Sequence, residues 1–283
     1  MTRCILPSPH RSKGPTHHRA LWYLINALTC KVKYWDRYPT FDGISAHEYT
    51  RSSKILAICT FMPIPFHDLN SEPAVHGYLH IPARPTGKAV VLTHGAGADC
   101  QSKLLVAMSS ALADSGFAVL RFDLPFRRER PHGPPSPSSA ARDRDGLRRA
   151  VSIMREQKNT QVFLGGHSYG GRQGTMLASE EPELADGLLL LSYPLHPPRK
   201  PNQLRTGHFP KLTTPAFFVH GTRDPFGTTA EMKSALELIH GSHAMLEVDG
   251  AGHDLLPKKT ANELLSRVVG EFKTFLKTLV KED

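Results

Sequence analysis

Residues 162–170 read Val-Phe-Leu-Gly-Gly-His-Ser-Tyr-Gly, an apolar run that ends in the pattern Gly-x-Ser-x-Gly. The apolar run is typical of a buried strand, and the pattern after it is typical of a tight turn between a strand and a helix. Glycines at positions 166 and 170 avoid side chains that would collide across such a turn. The stretch therefore predicts that Ser168 stands in a strained conformation between a strand and the start of a helix.

Two later apolar runs each end close to a residue that could act together with Ser168. Asp224 follows the run 217–219 and a His-Gly turn, and His253 lies in the run Gly-Ala-Gly-His-Asp at 250–254. Each interval between the three residues is long enough for one or two crossover connections. All three side chains can then meet at one edge of a parallel sheet, where ligands bind in such folds.

Taken singly, each of these residues has a plainer interpretation. Ser168 could be a turn residue, Asp224 could cap a turn before Pro225, and His253 could lie on the surface. Asp249 and Asp254 are rival acids, but they are very close to His253 in sequence for the usual layout. The order serine, acid, histidine, with each residue just past a predicted strand, favours a catalytic triad.

The chemistry assigns one role to each of the three groups. A serine hydroxyl is a weak nucleophile at neutral pH and needs a base that takes its proton, here His253. Asp224 would orient the imidazole and stabilise its charged form. An oxyanion also needs preorganised N–H donors, and we expect these from the backbone of Tyr169 and of Ala96, with Gly95 as the alternative to Ala96.

From Ala74 onwards, predicted strands alternate with helices of 3.6-residue period, as in a mostly parallel sheet with helices on both faces. The α/β class follows from this alternation. Several strands are continuous apolar runs, which is expected of strands buried on both sides. The predicted strands are 75–81, 89–93, 118–122, 161–165, 187–192, 216–220 and 244–248.

Three segments carry a resemblance to a known family: 92–99 (Leu-Thr-His-Gly-Ala-Gly-Ala-Asp), 165–172 (Gly-Gly-His-Ser-Tyr-Gly-Gly-Arg) and 192–198 (Ser-Tyr-Pro-Leu-His-Pro-Pro). They resemble the α/β-hydrolase superfamily, and within it the small proteins related to testis-expressed protein 30, which are similar in layout to dienelactone hydrolases. The resemblance runs from Ala74 to the C-terminus. It implies the α/β-hydrolase fold and a nucleophile, acid and base at Ser168, Asp224 and His253. Dienelactone hydrolases use a cysteine nucleophile where this chain has serine, so their substrate is not carried over.

Charge, cysteine content and apolar stretches argue against nucleic-acid binding, a disulfide framework and a membrane span. The 283 residues have a net charge of +9, but the charge is dispersed, and no motif for nucleic-acid recognition appears. The cysteines Cys4, Cys30, Cys59 and Cys100 form no Cys-x-x-Cys pair, so we expect reduced thiols and a cytoplasmic location. The patterns His-Glu-x-x-His, Gly-x-x-x-x-Gly-Lys-Ser/Thr and Gly-x-Gly-x-x-Gly are absent from the sequence, so we expect no metal and no cofactor. The apolar stretch 20–29 is too short to span a bilayer. We expect an N-terminal extension at 1–48, a hydrolase domain at 49–283 and a small-molecule acyl substrate; the oligomeric state stays open.

Several alternatives stay open at the level of the sequence. The loop 131–139, which is rich in proline, could rim the pocket or be a solvated loop, and 193–198 could line the pocket or form a rigid turn. Arg127, Arg128 and Arg130 could select an acidic acyl group or form a solvated face. The favoured function is hydrolysis of a carboxylic ester or related acyl bond through an acyl-serine. The rivals are a non-catalytic interaction subunit on the same scaffold, and an acyltransferase.

Overall fold

A computed structural model describes residues 63–157, 159–256 and 260–279 of the chain. The predicted N-terminal extension at 1–48 and its boundary with the domain at 49–283 lie outside the described residues. The same is true of Cys4, Cys30 and Cys59 and of the apolar stretch 20–29.

The described residues form one eight-stranded sheet in the order β1-β2-β4-β3-β5-β6-β7-β8. The first two strands run antiparallel to their neighbours, and strands β3 to β8 are all parallel. The strands are β1 (Ile64–Asp68), β2 (Val75–His80), β3 (Lys88–Thr93), β4 (Ala118–Phe122), β5 (Gln161–His167), β6 (Leu188–Leu191), β7 (Ala216–Gly221) and β8 (His243–Val248).

Helices cover both faces of this sheet because each presents an apolar stripe to it. The α-helices of the described residues are α1 (Lys103–Asp114), α2 (Pro125–Glu129), α3 (Ala140–Glu156), α4 (Tyr169–Glu180), α5 (Thr229–Leu236) and α6 (Ala261–Leu279). Helices α1 and α6 pack on one face, through residues such as Met108 and Phe272. Helices α3, α4 and α5 pack on the other, through residues such as Val151, Leu177 and Met232. The predicted α/β-hydrolase fold class is confirmed.

The structure differs from the sequence prediction at the edge of the sheet. Strand β1 is not among the predicted strands, and its sequence Ile-Pro-Phe-His-Asp explains the omission. A proline cannot donate to the ladder, so it is tolerated only where one side of the strand is unpaired, and β1 is such an edge strand. The short helix α2, within the connection after β4, is also absent from the prediction.

Within the described ranges, no helix combines the length and the apolar character that a membrane crossing requires.

Candidate active site

Ser168 lies between the end of β5 and the start of α4, in a backbone conformation that residues other than glycine rarely adopt. Its φ and ψ are 53° and −115°, and its N–H donates to the Leu191 carbonyl at 2.9 Å. The turn is so tight that a Cβ atom on Gly166 would lie 2.6 Å from the carbonyl carbon of Gly170. Glycine is therefore required at position 166, and the strained turn presents the Ser168 hydroxyl at the carboxyl edge of the sheet.

The loops that follow β7 and β8 run side by side and bring Asp224 towards His253. The Arg223 N–H donates to the Ala251 carbonyl at 2.9 Å, and the Thr222 N–H donates to the Val248 carbonyl at 3.0 Å. A Cβ atom on Gly221 would lie 2.4 Å from the Ala251 oxygen, so this close approach needs glycine.

The three predicted side chains form a continuous chain of hydrogen bonds. Ser168 Oγ lies 2.8 Å from His253 Nε2, and His253 Nδ1 lies 2.8 Å from Asp224 Oδ2. Because an ionised carboxylate can only accept, the imidazole donates through Nδ1, which leaves Nε2 free to accept the serine proton. Asp224 Oδ1 accepts the Phe226 N–H at 2.8 Å, and this second bond fixes the carboxylate.

The rival acids take no part in this chain of hydrogen bonds. Asp249 and Asp254 are both exposed, and Asp249 instead accepts from the Thr222 hydroxyl at 3.3 Å. Asp224, in contrast, is only 4% exposed. The geometry brings together the three residues that the sequence singles out, while their catalytic roles stay a prediction.

Two aromatic rings pack on the His253 imidazole and restrict its movement. The Phe226 ring centroid lies 4.2 Å from that of His253 at an interplanar angle of 32°. On another side, His167 Nε2 donates to the His253 carbonyl at 2.9 Å. Burial lowers the pKa of His167 to about 4, so at neutral pH its ring is uncharged and acts on His253 only by packing and by this hydrogen bond.

The two predicted oxyanion donors lie on segments that are hydrogen-bonded to each other. The Gly170 N–H, next to Tyr169, donates to the His94 carbonyl at 3.1 Å, and His94 begins the loop that contains Ala96. In that loop the Ala98 N–H donates to the Gly95 carbonyl at 3.2 Å, which closes a four-residue turn. Among the described residues, the N–H groups of Tyr169 and Ala96 have no hydrogen-bond partner. The same is true of the N–H of Gly95, the alternative donor.

His94 orients the peptide group that contains the Ala96 N–H. Its Nε2 accepts the Leu124 N–H at 3.1 Å, so its Nδ1 carries the proton and donates to the Gly95 carbonyl at 2.9 Å. The Gly95 carbonyl and the Ala96 N–H belong to one planar trans peptide, so fixing the first fixes the direction of the second. Burial lowers the pKa of His94, which keeps the ring neutral. His94 and His167 therefore each hold backbone groups in place through their ring nitrogens.

Arg127 corrects one expectation from the sequence. Arg128 and Arg130 are exposed, but Arg127 is only 8% exposed, so it is neither part of a solvated face nor free to select an acidic group. Its guanidinium donates to five backbone carbonyls, those of Ala96 (2.7 Å), Ala98 (2.8 Å), Arg130 (3.0 Å), Pro131 (2.9 Å) and Gly133 (3.1 Å). Arg127 thereby joins the turn at 95–98 to the loop at 131–139. In the sequence nothing distinguishes it from its two exposed neighbours.

The two segments that the sequence left open differ in burial. The loop 131–139 is mostly exposed, and its last residues form a short 3-10 helix (Pro137–Ser139) that begins at a proline. The segment 193–196 is buried instead, and the Tyr193 hydroxyl donates to the Arg205 carbonyl at 2.6 Å. Residues 193–196 are therefore part of the core. A role of the segment 193–198 in lining a pocket stays a prediction.

The described part of the chain contains no cluster of three or more His, Cys, Asp or Glu side chains arranged to hold a metal ion. The predicted triad uses only groups that the chain supplies itself.

Comparison with known proteins finds one matching family model and many solved structures with a similar fold. A family model described as an alpha/beta hydrolase domain matches residues 86–280, which include every residue of the candidate site. Among solved structures, a dienelactone hydrolase from Anabaena variabilis is 20% identical, with a TM-score of 0.60 over 75% of this chain and 97% of that one. Est1E from Butyrivibrio proteoclasticus is 16% identical, with a TM-score of 0.59 over 75% and 99%. An alpha-beta serine hydrolase homologue from Coxiella burnetii is 15% identical, with a TM-score of 0.59 over 75% and 97%. At these identities the structures show a common fold alone.

Proposed function

We propose that this chain, which belongs to the α/β-hydrolase family, hydrolyses a carboxylic ester or a related acyl bond through an acyl-serine intermediate. The observation that carries the proposal is the pair of 2.8 Å hydrogen bonds that link Ser168, His253 and Asp224. A nucleophile, a base and a group that orients the base are the three parts that activation of a serine requires. The strained backbone at Ser168 adds support, because such strain is common where a reactive group must be presented.

In the first half of the reaction, Ser168 Oγ attacks the carbonyl carbon of the substrate while His253 Nε2 takes the hydroxyl proton. Asp224 stabilises the imidazolium that forms. The tetrahedral intermediate then breaks its bond to the leaving oxygen, which receives the proton from His253 as an alcohol. The acyl group stays on Ser168. In the second half, His253 deprotonates a water molecule that attacks the acyl-serine, and the acid leaves as Ser168 regains its proton.

The oxyanion of each tetrahedral intermediate would accept the N–H groups of Tyr169 and Ala96. The loss of one such donor typically lowers the rate by about 10²–10³. Two positioning residues hold the second donor in its direction: His94 fixes the Gly95 carbonyl, and Arg127 fixes the carbonyls of Ala96 and Ala98.

The test is a screen of p-nitrophenyl esters, thioesters and lactones of graded acyl length against the wild type and Ser168→Ala. We expect turnover of at least one substrate by the wild type and its loss in the variant, with kcat lower by about 10³ or more. Ser234→Ala, which changes an exposed serine on α5, should keep the wild-type rate. A folded wild type that cleaves no member of the screen would contradict the proposal and favour a non-catalytic interaction subunit. Product analysis with an added alcohol would reveal acyl transfer as a transesterified product.

Three finer points belong to the same proposal. A relation to the proteins similar to testis-expressed protein 30 is proposed from the segments at 92–99, 165–172 and 192–198. A cytoplasmic location is proposed from its few cysteines, of which Cys100 is buried and free. The partner is a small acyl substrate, with no role for specific binding of nucleic acid.

A further inference from the structure

A concave site, which we call the basic groove, is lined by residues of helix α4 and of the segment 204–211. Its volume is about 680 Å³. Three of its lining side chains are cationic at neutral pH (Arg172, Arg205 and Lys211), and one is acidic (Glu180). Glu180 is 3.5 Å from Arg144, which partly neutralises it. The groove therefore presents an excess of positive charge.

The arginines of this groove differ from those of helix α3 in their partners. On α3, Arg148 pairs with Glu181 at 2.6 Å, Arg149 with Asp68 at 3.0 Å and Arg155 with Asp186 at 3.1 Å. Within the described residues, Arg172 and Arg205 form no ion pair. The only side-chain hydrogen bond that Arg205 makes there is a long one, to the Pro194 carbonyl at 3.3 Å. The Nε atom of Arg172 is buried and has no hydrogen-bond partner.

Arg172 and Arg205 are like charges that line the same groove. Both residues are partly buried. Burial, and after it the charge of Arg172, lower the pKa of Arg205. Two partly desolvated like charges without a counter-ion raise the energy of the folded state, whereas an anion between them would satisfy both groups.

His208 does not add to this positive charge. Burial and the neighbouring Arg172 lower its pKa to about 4, so it is neutral at physiological pH. Its Nε2 lies 2.8 Å from the Thr175 hydroxyl, which holds the ring at the wall of the groove. The cationic donors of the groove are therefore Arg172, Arg205 and Lys211.

The groove is lined by residues of the helix that begins at Ser168, and the first of them along that helix is Arg172. Ser168 caps the N-terminus of α4, and the Arg172 N–H donates to the Ser168 carbonyl at 2.9 Å, one helical turn further along. Four residues of an α-helix span about 6 Å along its axis. A substrate that follows α4 for one turn from Ser168 would therefore bring a remote anionic group to Arg172.

We propose that the basic groove is a subsite for an anionic group, a carboxylate or a phosphate, carried by the substrate on the part remote from the reacting bond. The inference rests on the proposed function, since it extends the same catalytic site. Arg172 and Arg205 are the specificity residues: their N–H groups form charge-assisted hydrogen bonds with the anion, and Lys211 adds charge at the rim. Guanidinium groups suit both anions because their donors match two oxygens at once.

The first experiment compares matched esters on the wild type, Arg172→Gln and Arg205→Gln. Three series of p-nitrophenyl esters carry a chain of graded length that ends in a carboxylate, a phosphate or a neutral carboxamide. We expect the wild type to prefer one anionic series over the neutral one by about tenfold or more in kcat/KM, and the better anion identifies the ligand. Each variant should lose about 10- to 100-fold on that series, which is the usual range for hydrogen bonds to charged groups, and keep its rate on the neutral esters. Equal kcat/KM for neutral and anionic esters in the wild type would overturn the proposal.

The second experiment does not depend on turnover, and so it separates a failure of this subsite from a failure of the proposed function. The probe is inorganic phosphate, and the readout is Tm at constant ionic strength. An anion at ten times its Kd should raise Tm by about 3–6 °C in the wild type. The rise should vanish in Arg172→Gln/Arg205→Gln and persist in Lys273→Gln/Lys277→Gln, which removes two exposed charges of α6. A protein that cleaves no ester but shows this pattern keeps the anion site and loses the esterase proposal. No rise, or the same rise in both double variants, overturns the anion site.

Discussion

Asp224→Asn is the substitution that probes the hydrogen-bonded chain with the smallest change of shape. Oδ1 can still accept the Phe226 N–H, which now lies 2.8 Å away. Oδ2, which accepts from His253 Nδ1 at 2.8 Å, becomes an amide nitrogen that can only donate. The imidazole must then carry its proton on Nε2, the atom that lies 2.8 Å from Ser168 Oγ. In that tautomer His253 cannot accept the serine proton.

Two losses add up in this variant: the wrong tautomer, and the missing negative charge beside the imidazolium. In serine proteases the same exchange lowers kcat by about 10⁴. We expect a fall of about 10³–10⁴ here, which corresponds to about 4–5 kcal/mol in the activation free energy. KM should change little, because the Asp224 side chain is fully buried and does not face the substrate.

The assay is steady-state hydrolysis of the best ester from the screen, with Tm as the check of folding. Asp249→Asn is the matched control, since it removes the same charge from an exposed acid close to the site. It should keep kcat within about twofold of the wild type. A folded Asp224→Asn enzyme that retains a tenth of the wild-type kcat would refute the assignment of Asp224.

Three further changes probe the backbone around the site and the acid stability of the fold. Gly95→Ala places a Cβ atom 3.3 Å from Ser168 Cβ, whereas the Cβ atom of Gly97→Ala meets no atom within 4 Å. We expect kcat to fall about tenfold or more in Gly95→Ala and to stay unchanged in Gly97→Ala. Equal rates in the two variants would count against the tight fit of this turn. Arg127→Lys keeps the charge but offers three donors in place of five, so kcat should fall about tenfold at nearly constant KM, and a change in KM alone would speak against positioning of the oxyanion donor. Burial and a neighbouring guanidinium lower the pKa of His80 from 6.5 to about 4, so between these values the unfolded chain binds a proton that the folded protein excludes. The free energy of unfolding should therefore decrease by up to about 1.4 kcal/mol per pH unit as the pH falls from 6.5 towards 4. Urea unfolding at pH 7 and pH 5 should show a smaller decrease in His80→Gln than in the wild type. An equal decrease in the two proteins would contradict the reasoning.

The parallel part of the sheet is predictable because its strands are continuous apolar runs. In β6 all four residues are leucines and all are buried, so a local pattern suffices to identify the strand. Strand β1 has no such pattern. It alternates partly buried and exposed residues around Pro65, and only its pairing with β2 makes it a strand.

The same distinction applies to the candidate site. Ser168, Asp224 and His253 each follow an apolar strand closely, and parallel strands present their carboxyl ends at one edge, so their approach can be inferred from order alone. Arg127 cannot be found in this way. Its burial depends on a turn that lies 31 positions earlier in the chain and on a proline-rich loop, and both supply carbonyls to it only in the folded protein.

The central claim is that the Ser168 hydroxyl is an activated nucleophile, and a fluorophosphonate probe tests it most directly because such probes react with activated serines irrespective of the natural substrate. We expect mass spectrometry of the intact wild type to show one phosphonyl adduct, and peptide mapping to place it on Ser168. Labelling should be lost in Ser168→Ala, slowed by about 10³ or more in His253→Ala, and unchanged in Ser234→Ala. A folded wild type that remains unlabelled, or that carries the adduct on another residue, would contradict the account.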